Sequence, residues 1–298
     1  MPFPILRLPY VPFHHVYQSL EFIDLISLSQ CSKSFRKRIQ AIERSNDNTI
    51  EVELSLMDMH LQLTSESRKT FKWSLYTKRN ERAPFLRNFV NVKIDGINWT
   101  VSPGSQSGFR ILSSYNEDLL IFWTTFLKTL FNCKISLLHF DSQRNFNFQK
   151  LFIHTNILHT VRKFHFEENV LSNWEMEFLL EKLQVEDFKN CGFSHSDFRY
   201  TKPIRFKHFT TNEWPSDNFD NLLSSIANCE TVRFHDTRKS EEDIKVFIKQ
   251  WLESDNVKLE KISFERAHKN ELGQFDLSSV IQDLPVFPGS KKKVNASR

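Results

Sequence analysis

Apolar positions change their spacing twice along this chain. Between Phe3 and Ile42 they recur at helical intervals: Phe13, Val16 and Leu20, then Phe22, Leu25, Ile26 and Leu28, with Ser32, Phe35 and Ile39 closing the run. That spacing puts one apolar stripe on two or three short helices. Leu8-Pro9 is a start signal, and Pro12 predicts that the first helix begins later or takes Pro12 as its first residue. So short a segment hides too little surface to offset its ordering entropy, so the stripe needs a cover from elsewhere. From Ile50 the period drops to two. Ile50, Val52, Leu54 and Leu56 alternate with polar residues, Phe71, Trp73 and Leu75 repeat the theme, and both runs predict strands. Asp95-Gly96 separates Val90-Val92-Ile94 from Ile97-Trp99-Val101. A two-residue Asp-Gly link between alternating runs predicts a hairpin, because both turn positions need positive φ. Pro103, Gly104 and Gly108 then break the chain.

Beyond Asn116 helix and strand patterns alternate. An apolar residue, two positions, a second apolar, one position and a third apolar recur as Ile135-Leu138-Phe140, Val161-Phe164-Phe166, Cys229-Val232-Phe234 and Leu259-Ile262-Phe264. Val185-Phe188 and Ile204-Phe206 are partial copies. The middle positions 138, 164, 188, 204, 232 and 262 are spaced like leucine-rich repeats, apart from the short step from 188 to 204. Between them come helix starts. Ser172 and Glu175 form a capping box before Phe178, Leu179 and Leu183, Ser240 and Asp243 precede Ile244, Phe247, Ile248, Trp251 and Leu252, and Asn116 and Ser216 open two further apolar faces. Each unit has apolar faces that only a neighbour can bury, which predicts a curved open array. The Asn that closes such repeats appears only at Asn169, while Gln143, Phe193, Phe209, Thr237 and Ala267 hold the equivalent places. With 29 Phe and 6 Gly in the chain, aromatic packing is expected to fill the spine instead. The expected class is α/β: an all-helical module at 1–45, a β-rich connecting segment with a hairpin at 46–112, an irregular leucine-rich-repeat-like curved α/β array at 113–285, and a basic disordered tail at 286–298.

Composition narrows this without redirecting it. A hydrophobic content of 40% and a charged content of 26% exclude wholesale disorder, and no apolar run approaches the ~20 residues of a membrane helix. No secretory signal is evident, so the expected compartment is cytoplasmic or nuclear. Lys291, Lys292, Lys293 and Arg298 account for the whole net charge of +4. A neutral body argues against a duplex-binding protein. Cys31, Cys133, Cys191 and Cys229 are scattered with no C-x-x-C pair, which predicts buried free thiols, with neither a zinc site nor a disulfide framework.

The order Leu8-Pro9, Val16, Leu20, Asp24-Leu25, Leu28, Cys31-Ser32-Lys33 and Phe35-Arg36 resembles an F-box, and the opening phrase FPILRLPY resembles the F-box proteins of nematodes. That resemblance implies docking on a Skp-type adaptor, and through it on a cullin scaffold, with Leu8, Pro9, Val16, Leu20, Leu25, Leu28, Ser32 and Phe35 in contact with the adaptor. A second resemblance covers about 202–266. Asn212-Glu-Trp214, Leu222-Leu223, the helix SEEDIKVFIKQWLES and the strand LEKISF are similar to the type 2 F-box-associated domain. Together they imply a substrate-recognition subunit of an SCF-type ubiquitin ligase, which binds its target and performs no chemistry.

The residues themselves offer no catalytic constellation: no glycine-rich phosphate loop, no G-x-S-x-G elbow and no H-E-x-x-H. His14 with His15, and His154 with His159, lack same-face spacing, so no metal and no cofactor is expected. The strand faces carry the remaining signal. If the apolar residues of each repeat point inward, Lys163, His165, Arg205, Lys207, Arg233, His235 and Lys261 line the exposed face as a cationic row suited to an acidic or phosphorylated target segment. Two alternatives stay open: a protein-binding scaffold whose F-box is vestigial, and a nucleic-acid binder using the basic tail and this row.

Overall fold

The computed structural model describes residues 8–43, 48–55, 58–65, 68–77, 90–94, 97–103, 108–113, 117–141, 161–167, 171–191, 198, 200–212, 219–235, 241–264 and 293–296. The chain is a mixed α/β protein of two compact units, Met1–Val161 and Arg162–Arg298.

The first unit opens with three helices, α1 (Tyr10–Ser19), α2 (Phe22–Cys31) and α3 (Lys33–Glu43). Helix α1 begins two residues before Pro12, contrary to the expected start. Pro9 occupies the cap position and the Phe13 N–H donates to its carbonyl at 3.0 Å. Pro12 therefore falls in the first turn, where an N–H has no intrahelical acceptor and its loss removes nothing. Helix α2 starts on a capping box: the Glu21 side chain accepts from the N–H of Asp24, and the Glu21 N–H donates to the Asp24 carboxylate at 3.2 Å. This signal was missed in the sequence, because an acidic pair at that spacing is not the usual Ser/Thr and Glu.

A fourth helix, α4 (Glu117–Phe131), follows the β-rich segment. The strands are β1 (Thr49–Ser55), β2 (Asp58–Ser65), β3 (Arg68–Thr77), β4 (Val90–Ile94), β5 (Ile97–Pro103), β6 (Gly108–Ser113) and β7 (Lys134–Asp141). Among the described residues they lie in the order β7-β1-β2-β3-β6-β5-β4. Strands β1 to β3 form an antiparallel meander in which Ile50, Val52, Leu61 and Leu63 are buried. Strands β4 and β5 are antiparallel with Ile94 opposite Ile97, the register a two-residue link requires, though Asp95-Gly96 itself lies outside the described residues. Strand β7, which holds the first copy of the repeated apolar motif, runs parallel to β1 and so belongs to this unit.

The second unit contains β8 (Lys163–Glu167), α5 (Asn173–Lys182), β9 (Asp187–Asn190), β10 (His208–Thr211), α6 (Phe219–Ser225), β11 (Thr231–Phe234), α7 (Glu241–Glu253), β12 (Lys261–Phe264) and β13 (Lys293–Ala296). Its strands lie side by side in sequence order, and every described pairing is parallel. The register aligns Phe164, Phe188, Phe209, Val232, Ile262 and Val294. The fourth motif copy is therefore Phe206-Phe209-Thr211, and not Ile204-Phe206. With 209 in place of 204 the short step in the repeat disappears. A polar third residue, Thr211, disguised this copy, and the chance alternation Ile204-Phe206 offered a decoy.

The expected aromatic spine is present. Phe188 stacks on Phe164 at 5.7 Å, on Phe206 at 4.7 Å and on Phe209 at 5.8 Å, and all four are fully buried. Phe209 thus fills the strand core and does not close a repeat, whereas Gln143, Asn169, Phe193, Thr237 and Ala267 lie outside the described residues. The predicted capping box forms at α5, where the Ser172 side chain accepts from the Glu175 N–H at 3.4 Å and the Glu175 carboxylate accepts from the Ser172 N–H at 3.0 Å. Asn116, Ser216 and Ser240, proposed to start α4, α6 and α7, lie outside the described residues. Residues 293–296, expected in a disordered tail, form β13. The exposed edge of β12 has backbone groups to satisfy, and this outweighs the weak strand signal of Lys293-Val294-Asn295-Ala296.

Candidate functional site

The N-terminal stripe divides once its burial is known. Leu25 and Phe35 are fully buried: Phe35 packs edge-on against Phe13 at 5.5 Å, so both side chains shape the module and neither presents itself to a partner. Ser32 caps α3, its hydroxyl accepting from the Phe35 N–H at 3.3 Å. Leu8, Val16, Leu20 and Leu28 are half-buried, and Pro9 is exposed. The Leu8-Pro9 start is tied to α3 because Arg38 donates to the Leu8 carbonyl at 3.2 Å while its guanidinium lies 4.8 Å from the Phe13 ring centre. Beside Pro9 the sequence reading missed two residues, Tyr10 and Val11, which are 68% and 63% exposed. Periodicity selects residues that face inward. An apolar pair just off the stripe is the signal of a docking surface, and only burial reveals it.

The cover that this stripe needed is helix α4. Phe22 meets Phe131 edge-on at 5.1 Å, the Arg36 guanidinium sits 5.4 Å from the Phe126 ring centre, and the Gln40 amide donates to the Thr129 carbonyl at 3.1 Å. The end of α3 is pinned by buried polar groups. The Asn48 amide donates to the Glu43 carboxylate at 2.5 Å and to the Phe131 carbonyl at 2.9 Å, and both Asn48 and Glu43 are buried. Burial first, and the Glu43 charge second, push the neighbouring Cys133 thiol far above its ordinary range. Cys229 is pushed to about 12 by burial alone, and Cys133 and Cys229 are the inert thiols expected. Cys31 is exposed and Cys191 half-exposed, so the prediction of buried thiols fails for those two.

The second candidate surface is the face of the parallel strands opposite Phe164, Phe188 and Phe209. The register sets His165, Lys189, Thr210, Arg233 and Ser263 in one row, and Lys163, Asp187, His208, Thr231, Lys261 and Lys293 in the next. Lys163, His165, Arg233 and Lys261 therefore share a face, as expected, and His235 follows on the same side of β11. Arg205 and Lys207 do not join it: they precede β10, whose members on this face are His208 and Thr210. The same decoy at Ile204-Phe206 misplaced them. The reading also missed Lys189, which pairs with Glu167 at 2.9 Å with both side chains about one-third exposed. Lys207 belongs to an earlier row with Arg162, Glu186, Glu230 and Glu260, joined by backbone hydrogen bonds, in which Arg162 donates to Glu186 at 3.0 Å. The Arg162 hydrogen bond holds the Glu186 carboxyl below its ordinary value.

Among the described residues no group of three or more His, Cys, Asp or Glu is placed to hold a metal ion, and no helix is long and apolar enough to cross a membrane. His154 and His159 lie outside the described residues.

Comparison with known families gives two matches. Residues 5–44 match the F-box domain, and residues 197–264 match the F-box associated domain. No curated protein and no solved structure matches the chain. The chain thus carries an F-box domain and an F-box-associated domain, as its sequence motifs implied.

Proposed function

We propose that this chain is the substrate-recognition subunit of an SCF-type cullin-RING ubiquitin ligase. The observation that carries the reading is the pairing of an F-box domain with an F-box-associated domain in one chain. In this reading the F-box docks on a Skp-type adaptor through the exposed Pro9, Tyr10 and Val11 together with the half-buried Leu8, Val16, Leu20 and Leu28. The strands of the second unit, taken as a leucine-rich-repeat-like array, hold the target. Catalysis is left to the conjugating enzyme, and the subunit acts by raising the effective concentration of a target lysine beside it. A cytosolic or nuclear location fits this role.

The test is co-expression with a Skp-type adaptor followed by affinity purification. Wild type retains the adaptor. Tyr10→Ala with Val11→Asp, on exposed positions and with helicity unchanged, weakens retention about tenfold or more. Leu25→Ala is unsuited to this purpose because it opens the module's own core. Wild-type chain that retains no adaptor refutes the reading. For the target surface, Lys189→Glu with Arg233→Glu, on β9 and β11 to either side of Thr210 of β10, abolishes capture of acidic targets while leaving adaptor retention intact.

A second reading is favoured by one observation. Phe22 and Gln40 of the F-box are already covered by α4, as a vestigial F-box on a protein-binding scaffold requires. A chain that stays monomeric in isolation and captures partners without any adaptor supports that scaffold.

A further inference from the structure

Removing Arg205 from the strand face places it in a cleft of about 620 Å³ within the second unit. The cleft lies where the end of α5 and the segment leading into β10 meet Asn228. Three cations line it, Lys182, Lys202 and Arg205, against one carboxylate, Glu181. Lys202 donates to Glu181 and lies 3.5 Å from Glu177. Neither Lys182 nor Arg205 makes an ion pair among the described residues. Neutral donors complete the wall. Tyr200 is largely buried, and burial holds its phenol above the ordinary value, so it keeps its proton at neutral pH. The Asn228 carbonyl oxygen accepts from Lys258 at 3.3 Å, which leaves its amide N–H groups as donors.

We propose that this cleft binds a phosphate monoester, neutralised by Lys182, Lys202 and Arg205, with Glu181 as the internal stand-in that the ligand displaces from Lys202. The donor count selects the ligand. Three cations against Glu181 and the nearby Glu177 leave a positive surplus, and the three acceptor oxygens of a phosphate monoester give Lys182, Lys202 and Arg205 one each, which a carboxylate with two does not. The volume is that of a small-ligand site, with room for what carries the phosphate. Lys202 and Arg205 both bear on Glu181, whose carboxyl is held below its ordinary value chiefly by the Lys202 hydrogen bond, so an acceptor stays charged and in place until a stronger one arrives. This goes beyond the adaptor-docking reading and does not depend on it.

The experiment titrates the full-length chain, with its adaptor if the two co-purify, with inorganic phosphate against chloride at constant ionic strength, following thermal unfolding. Wild type shows a saturable rise in Tm. Arg205→Ala and Lys182→Ala each weaken the phosphate response about tenfold, the loss expected for one charged hydrogen-bond donor. Glu181→Gln strengthens it several-fold. These cations also lie at the carbonyl end of α5, where positive charge stabilises a helix. A lowered Tm in both alanine variants with an unchanged phosphate response means that this is their whole role, and overturns the proposal. So does a wild-type Tm that ignores phosphate. Competition between a phosphoserine peptide of random flanks and glycerol 2-phosphate then identifies the source: preference for the peptide assigns the monoester to a partner protein, preference for the small ester to a free metabolite.

Discussion

The F-box helices and the F-box-associated strands bury their apolar faces over very different sequence distances. Gln40 reaches Thr129 and Phe22 reaches Phe131, across the whole β-rich segment, whereas Phe188 rests on Phe164 and Phe209, one strand away on either side. The first arrangement depends on closing a long loop before its contacts form, and the second grows from neighbour to neighbour. The lesson concerns boundaries. The F-box match ends at residue 44, yet the cover for that domain lies in α4, so a sequence family and a folding unit need not coincide.

The sharpest way to break this comparison is to cut the chain. Residues 1–47 alone are expected to lack cooperative unfolding by far-UV circular dichroism, while residues 1–161 unfold cooperatively; a folded 1–47 fragment ends the contrast. Next in size, Phe131→Ala and Phe188→Ala each cost about 3–5 kcal/mol in urea denaturation. Only Phe131→Ala also lowers adaptor retention, since only it removes the support beneath Phe22. Asn48→Ala deletes the hydrogen bonds to Glu43 and Phe131 in a buried site, at about 1–3 kcal/mol. Ser172→Ala, which removes a cap within the second unit, costs about 1 kcal/mol and leaves the F-box untouched. Smallest is Arg162→Ala. Glu186 is depressed in the folded state by Arg162, so the stability it contributes is present above its ordinary value of 4.5 and is lost as pH falls below that. The difference between wild type and Arg162→Ala in urea midpoint is therefore small at pH 7, because exposed pairs are weak, and vanishes once Glu186 is protonated in the folded state.

What could be seen in advance was local. The Asp95-Gly96 link anticipated the register of Ile94 and Ile97, and Ser172 with Glu175 anticipated the start of α5, because turn and cap chemistry is written in adjacent residues. The F-box stripe was legible as a stripe. Its division into buried Leu25 and Phe35 and exposed Tyr10 and Val11 was not, since that depends on how the helices of the module pack on one another, as Phe35 does on Phe13. The same holds for β7 beside β1, a parallel pairing between strands separated by most of the unit. On the target side one misjudged strand was enough. Taking Ile204-Phe206 for Phe206-Phe209-Thr211 moved Arg205 and Lys207 onto the wrong surface and hid His208. Burial of Thr211 in place of an apolar residue is what a pattern of apolar positions cannot register.

Strand β13 bears on a hazard common to every open sheet. Backbone donors and acceptors along an unpaired outermost strand are a template on which another polypeptide can crystallise in register. Here Lys293–Ala296 occupies the outer side of β12, and its charged first residue makes a poor template in turn. A protein shortened to residue 290 would carry a bare, β-competent border, and its characteristic fault would be intermolecular strand exchange and fibrous precipitation with the rest of the fold intact.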